Sequence, residues 1–155
     1  MSLKVGPNEK LFAVQPQLLE RHCPLFDNGA SNIQDGNESK ETLSIISMLR
    51  VLSKIDEDIF SFIVEYLYTG TINPGSTTNV ASALQRVNIW KAAEALCMPK
   101  VQTLIMKHLR DEFSHAREYD CALEEGFVGL ILACYNDTKP GSPLRRWVSD
   151  LVALG

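Results

Sequence analysis

The stretch from Asp56 to Gly70 constrains this chain more than any other. Asp56 can cap a helix, because its short carboxylate accepts from the free amides of a first turn. Glu57 and Asp58 suit the positive end of the helix dipole, and Gly70 can take the left-handed conformation that closes a helix. Between them Ile59, Phe60, Phe62, Ile63, Val64, Tyr66 and Leu67 leave almost no polar face, so the spacing predicts a helix buried on most sides. Such a helix needs a core around it. A chain of 155 residues can build one without disulfides or metal. The composition, 45% hydrophobic and 22% charged, is globular and excludes a disordered tail or a fibrous repeat.

Leu3 to Val14 predicts a short hairpin, with apolar positions flanking a Gly6-Pro7-Asn8 turn. Pro16 suits a first helical position, and Leu18, Leu19 and His22 then share a face. Pro24 ends that helix or turns the chain through Leu25 and Phe26. Asp27 to Thr42 is too polar to offset its ordering entropy and is expected to form an exposed, mobile loop. Leu49 to Leu52 is expected to be a strand, with a helix as the alternative for Leu43 to Met48. Thr71-Ile72 adds one short strand before an Asn73-Pro74-Gly75-Ser76 turn.

The second half predicts helices. Val80, Ala83, Leu84, Val87, Trp90, Ala93, Leu96 and Cys97 make one stripe, with a phase slip near Asn88. Val101, Leu104, Ile105, His108 and Leu109 make another, opposite Lys100, Gln102, Lys107 and Arg110. Leu123, Phe127, Leu130, Ile131 and Cys134 form a third. The last helix follows Ser142 as cap and Pro143 in the first turn, with Leu144, Trp147, Val148 and Leu151 inward. The fold class expected is α+β: a small sheet of short strands with a majority of helices.

Lys and Arg total 15 against 19 Asp and Glu, a net charge of -4. Nucleic acid is therefore not an expected partner, since phosphate binding is driven by cationic neutralisation. No membrane span is expected: the longest apolar stretch, Phe127 to Tyr135, is far shorter than the roughly 20 residues a bilayer requires. Cys23, Cys97, Cys121 and Cys134 show no metal-ligand spacing with His22, His108 or His115. They are expected to be reduced and buried, in an intracellular protein of the cytoplasm or nucleus.

At Phe60 to Ile72 the string Phe-Ser-Phe-Ile-Val-Glu-Tyr-Leu-Tyr-Thr-Gly-Thr-Ile resembles the central motif of BTB/POZ domains. Phe12-Ala13-Val14-Gln15-Pro16-Gln17-Leu18-Leu19 with Cys23-Pro24-Leu25-Phe26 resembles the family's opening, and Trp90 to Met98 its "Y-x-L-A-[ED]-x-L-x-[MV]" helix. Asn136 to Arg146 is similar to the "N-T-x-x-G-S-x-L-R" segment of filamentous-fungal members. The chain departs where the family's His-Lys is Gln15-Pro16 and its Ser is Cys23. The resemblance implies a BTB/POZ (Elongin C-like) fold over residues 1–113, with a helical extension over 114–155. It further implies a protein-interaction module that self-associates or serves as adaptor to a partner such as a cullin-type ubiquitin ligase scaffold. Transcription-associated oligomerisation is a further alternative. Because the chain opens at the first core strand, a segment-exchanged dimer is not expected; a helix-mediated dimer and a monomer both stand.

Two surfaces follow from the resemblance. Leu18, Leu19, His22 and Phe26 form the candidate self-association surface, with a place in the core as the equal alternative for Leu18, Leu19 and Phe26. Asp56 and Glu57 with Lys100, Lys107 and Arg110 form the candidate partner surface. No catalytic, metal or cofactor site and no small-molecule substrate is expected. The sharpest enzymatic alternative is a thiol-dependent hydrolase pairing Cys97 with His108, against which both residues sit on apolar stripes. Asp56-Glu57-Asp58 is explained by helix capping rather than metal binding, and Lys139 with Arg145-Arg146 by a solvated face or a contact to nearby carboxylates rather than phosphate binding.

Overall fold

The computed structural model describes residues 2–24, 48–74, 80–112 and 126–154. The chain divides into two compact units, one of residues 1–72 with 92–99 and one of 73–91 with 100–155. The polar stretch Asp27 to Thr42, the Gly75-Ser76 end of the predicted turn, and Phe26, Cys121, His115 and Leu123 lie outside the described residues.

The first unit opens on the expected hairpin. Strands β1 (Ser2–Val5) and β2 (Lys10–Ala13) pair antiparallel, Ser2 opposite Ala13 and Val5 opposite Lys10. Leu3 and Val5 alternate inward, while Lys4 reaches out to an ion pair with Glu9 at 3.3 Å. The turn depends on Gly6. Its φ is +78°, and a Cβ there would lie 2.7 Å from Glu57 Cγ and 3.2 Å from the Ile55 carbonyl oxygen. Its amide donates to the Leu52 carbonyl at 3.0 Å, tying the turn to the chain ahead of the central helix.

Helix α1 (Pro16–His22) starts at its proline and ends where Cys23 becomes extended. Residues 48–54 form helix α2, not the strand expected over Leu49 to Leu52. The reason is period: Met48, Leu52 and Ile55 are buried while Leu49, Arg50 and Ser53 are exposed, the 4-and-3 spacing of a helix. Helix α3 (Glu57–Thr69) has the predicted bounds. Asp56 accepts from the Asp58 and Ile59 amides at 2.9 and 3.3 Å, and Gly70 closes it at φ +74°. Ile59, Phe60, Ile63, Tyr66 and Leu67 are buried. Phe60 meets Phe12 edge-on, with ring centroids 5.0 Å apart. After Gly70 the chain forms no strand at Thr71-Ile72. Ile72 is buried as a single anchor, and the Thr69 hydroxyl bridges to the Glu65 carbonyl and the Thr71 amide.

Helix α4 (Val80–Ala95) runs unbroken past Asn88. At its end the Met98 amide donates to the Ala93 carbonyl at 2.8 Å and the Cys97 amide to Glu94 at 3.1 Å. This is the double closure of a Schellman motif, with Cys97 at φ +56° in the position usually held by glycine. The left-handed turn swings Cys97 outward, so it is exposed and does not continue the apolar stripe as expected. Leu96 and Met98 on either side are buried.

The second unit holds α5 (Pro99–Glu112) from Lys100 onward, α6 (Phe127–Tyr135) and α7 (Pro143–Leu154). Val101, Ile105 and Leu109 face inward from α5 as their spacing predicts, and Leu144, Trp147, Val148 and Leu151 do so from α7. The described residues are therefore predominantly helical, with a small two-stranded sheet. Among the described residues, no helix is long and apolar enough to cross a membrane.

Candidate interaction surfaces

In the first unit, α1 lies against α3. Leu19 is only 3% exposed and belongs to the core, so its side chain is not presented for docking. Leu18 and His22 are half-buried. The His22 ring meets Tyr66 edge-on at 5.6 Å, a packing contact within the unit. At Gln15 and Cys23 the chain bonds to residues distant in sequence but within the same unit. The Gln15 amide donates to Tyr68 Oη at 3.2 Å, and the buried Cys23 thiol donates to the Leu96 carbonyl at 2.9 Å.

The other expected surface divides between the units. Asp56 and Glu57 belong to the first; Lys100, Lys107 and Arg110 belong to the second. Asp56 is occupied as the cap of α3, and the Glu57 side chain folds over the Gly6 turn with Oε1 buried. Lys100, Lys107 and Arg110 are all exposed on α5, where spacings of seven and three place them along one side. This cationic stripe is the part of the expected partner surface that a single unit presents.

Of the pair named for a thiol hydrolase, Cys97 belongs to the first unit and His108 to the second. Burial pushes the Cys134 thiol up to about 11, with Lys91 pulling weakly the other way. An activated thiol requires the opposite shift.

The Asn136–Arg146 segment has a structural explanation. Asn136 and Asp137 end α6, with Asp137 at φ +57°, and Gly141 (φ +82°) turns the chain into α7. The buried Thr138 hydroxyl donates to the Cys134 carbonyl at 2.7 Å and accepts from Arg145 Nε at 2.9 Å. The Arg145 guanidinium also donates to the Tyr135 carbonyl at 3.1 Å and to the Thr138 carbonyl, and it stacks over the Tyr135 ring at 5.1 Å. Arg146 donates to the Gly141 carbonyl at 3.1 Å. Arg145 thus satisfies carbonyls at the end of α6 instead of standing as a solvated cation.

Two features escaped the sequence reading. Arg86 is fully buried, donating to the Ser82 carbonyl at 2.9 Å and pairing with Glu112 at 2.6 Å. Burial lowers its pKa, opposed by the charge of Glu112. Its position was readable, since residues 83, 86, 87 and 90 share a helical face. The second feature is the outer side of α6, where Val128 is 69% exposed, Leu132 is 53% exposed and Tyr135 is also exposed. The helix contains no charged residue.

The chain matches no protein-family model, no curated protein and no solved structure.

Proposed function

We propose that this chain is a protein-interaction module of the BTB/POZ-like type. It acts by burying surface against another macromolecule, through self-association or as an adaptor for a partner such as a cullin-type ubiquitin ligase scaffold, with no bond made or broken. The observation that carries this reading is the apolar side of α6 left facing solvent. Water around clustered aliphatic groups costs free energy that only a covering surface recovers. The exposed cations of α5 are charges of the kind that speed encounter with an acidic partner. The double-capped apolar α3 agrees with the family resemblance at Phe60 to Ile72. Free thiols at Cys23, Cys97 and Cys134 suit a reducing compartment, the cytoplasm or nucleus.

Light scattering on the purified chain at several concentrations, combined with capture of a purified cullin N-terminal fragment, tests the reading. A mass that rises with concentration, or specific retention of the fragment, supports it. A strict monomer that retains no fragment overturns it.

A further inference from the structure

Resting on the self-association reading, we infer that α6 is the surface through which two copies of this chain meet. Viewed down the helix, Val128, Leu132 and Tyr135 follow 4-and-3 spacing and form an outward ridge, opposite the buried Leu130 and Cys134. Beside that ridge runs a row of small residues, Gly129 and Ala133, four apart. Gly129 is exposed, and a Cβ built there meets nothing within 4 Å. Packing inside the molecule therefore does not require a glycine, although glycine in mid-helix is unfavourable relative to alanine.

Ridge and groove lie side by side on the same helix. When rows four apart interdigitate, helices cross at roughly −50°. A two-fold axis through such a crossing puts the Val128–Leu132 ridge of each copy over the Gly129–Ala133 groove of the other. That is the self-complementarity a closed dimer demands. Charge allows the same occupant. Each copy carries a net charge of -4, yet α6 has no charged side chain, and the Arg145 guanidinium over the Tyr135 ring is held by the Tyr135 and Thr138 carbonyls, so the Val128–Leu132 ridge itself brings no charge against a second copy.

Area sets the strength. A stable dimer hides roughly 800 Å² from each partner. A helix of 9 residues is only about 14 Å long at the usual rise. The face extends onto α7, which packs against α6: Tyr135 Oη lies 3.1 Å from Ser149 Oγ, and Val152 is exposed one turn further on. Even so extended, the contact is small, and the dimer is weak and concentration-dependent.

Sedimentation velocity over a roughly hundredfold range of concentration up to about 1 mM tests this, with far-UV circular dichroism to confirm folding. The native chain is expected to move from monomer towards dimer. Leu132→Lys, at an already exposed position, should raise the midpoint concentration at least about tenfold, because it buries a charge against an apolar helix. Gly129→Ala should weaken the dimer while raising the melting temperature of the monomer, a split that a purely intramolecular role for Gly129 does not produce. Leu11→Lys, on the exposed side of β2 in the other unit, should leave the midpoint in place. If the native chain dimerises and neither α6 variant moves the midpoint, the α6 assignment fails and self-association survives elsewhere. A native chain that stays monomeric throughout overturns the assignment and self-association together.

Discussion

Arg86 carries a charge with no exposure at all, whereas the side chain of its partner Glu112 is 30% exposed. That difference makes an unequal prediction. Glu112→Ala strands a guanidinium inside the second unit, and breaking a buried pair in this way costs about 3–5 kcal/mol. The open side at Glu112 lets water approach the vacated end, so about 3 kcal/mol is expected. Arg86→Met removes the buried charge, leaves a side chain of similar length, and lets the Glu112 carboxylate turn to solvent; about 1 kcal/mol or less is expected. The double variant should resemble Arg86→Met, giving a coupling of about 3 kcal/mol. Urea unfolding followed by tryptophan fluorescence isolates the right unit, because both tryptophans, Trp90 and Trp147, belong to it. In melting temperature, Glu112→Ala should lose about 6–12 °C, at about 2–4 °C per kcal/mol for a chain of this size. Equal costs for the two single variants, or additivity in the double, would refute the argument that desolvation of Arg86 dominates.

Gly6→Ala should destabilise the first unit by about 1–3 kcal/mol, from positive φ combined with the close approach of the Ile55 carbonyl; adding Glu57→Ala should recover only part, read by circular dichroism in urea. Arg145→Lys should lose nearly as much stability as Arg145→Ala, about 1–3 kcal/mol, because a single ammonium cannot replace a guanidinium that donates to the Thr138 hydroxyl and to two carbonyls; full rescue by lysine in the tryptophan-monitored melt would contradict this. Of the described thiols, Cys97 should be alkylated by iodoacetamide in the folded chain, whereas Cys23 and Cys134 should react only on unfolding, as mapped by peptide mass spectrometry. The folded Cys134 thiol titrates near 11 and the unfolded one near 9. Between those values the unfolded state releases its proton first, so Cys134 contributes stability that is intact below pH 9 and falls by about 2–3 kcal/mol as pH rises through 11; Cys134→Ala should flatten that part of the pH profile.

What the sequence makes legible depends on whether local signals agree. Around α3 they do: a carboxylate cap, acidic first turn, apolar run and closing glycine all mark the same bounds, and the helix runs from Glu57 to Thr69. Ser142 and Pro143 fix α7 in the same way, with Ser142 Oγ accepting from the Leu144 amide at 3.3 Å. At α2 the window was too short. Leu49 to Leu52 taken alone carries β-branched and apolar residues that fit a strand, and only the wider spacing of Met48, Leu52 and Ile55 shows a helical period. Cys97 failed differently. Its spacing continues the stripe of α4, but spacing assumes one unbroken helix, and the Schellman closure at Ala93 and Glu94 turns the backbone before the side chain can follow.

The exposed apolar side of α6 was harder to read than the helix itself, because periodicity identifies an outward face by its polar residues, and α6 has almost none. In Phe-Val-Gly-Leu-Ile-Leu-Ala-Cys-Tyr the spacing picks out Leu130 and Cys134, and both are buried, but Val128 and Leu132 are apolar too, so nothing in the sequence marks their side as outward. Leu19 shows the converse case, in which the core role prevails. It lies on the α1 face that the family resemblance points to, yet its side chain is spent on the core of its own unit. A motif places a residue on an element. Whether that residue is free to bind depends on how many of the element's sides the rest of the chain covers, and those contacts come from residues distant in sequence. The same reasoning accounts for Arg86, whose inward position follows from spacing but whose compensating charge, Glu112, sits on another helix. An apolar helix left uncovered on one side and a cation fully enclosed on another are both departures from the simple pattern of polar outside and apolar inside. The first lowers the cost of covering that side with a second molecule, and the second ties α4 to α5 through the Arg86–Glu112 pair.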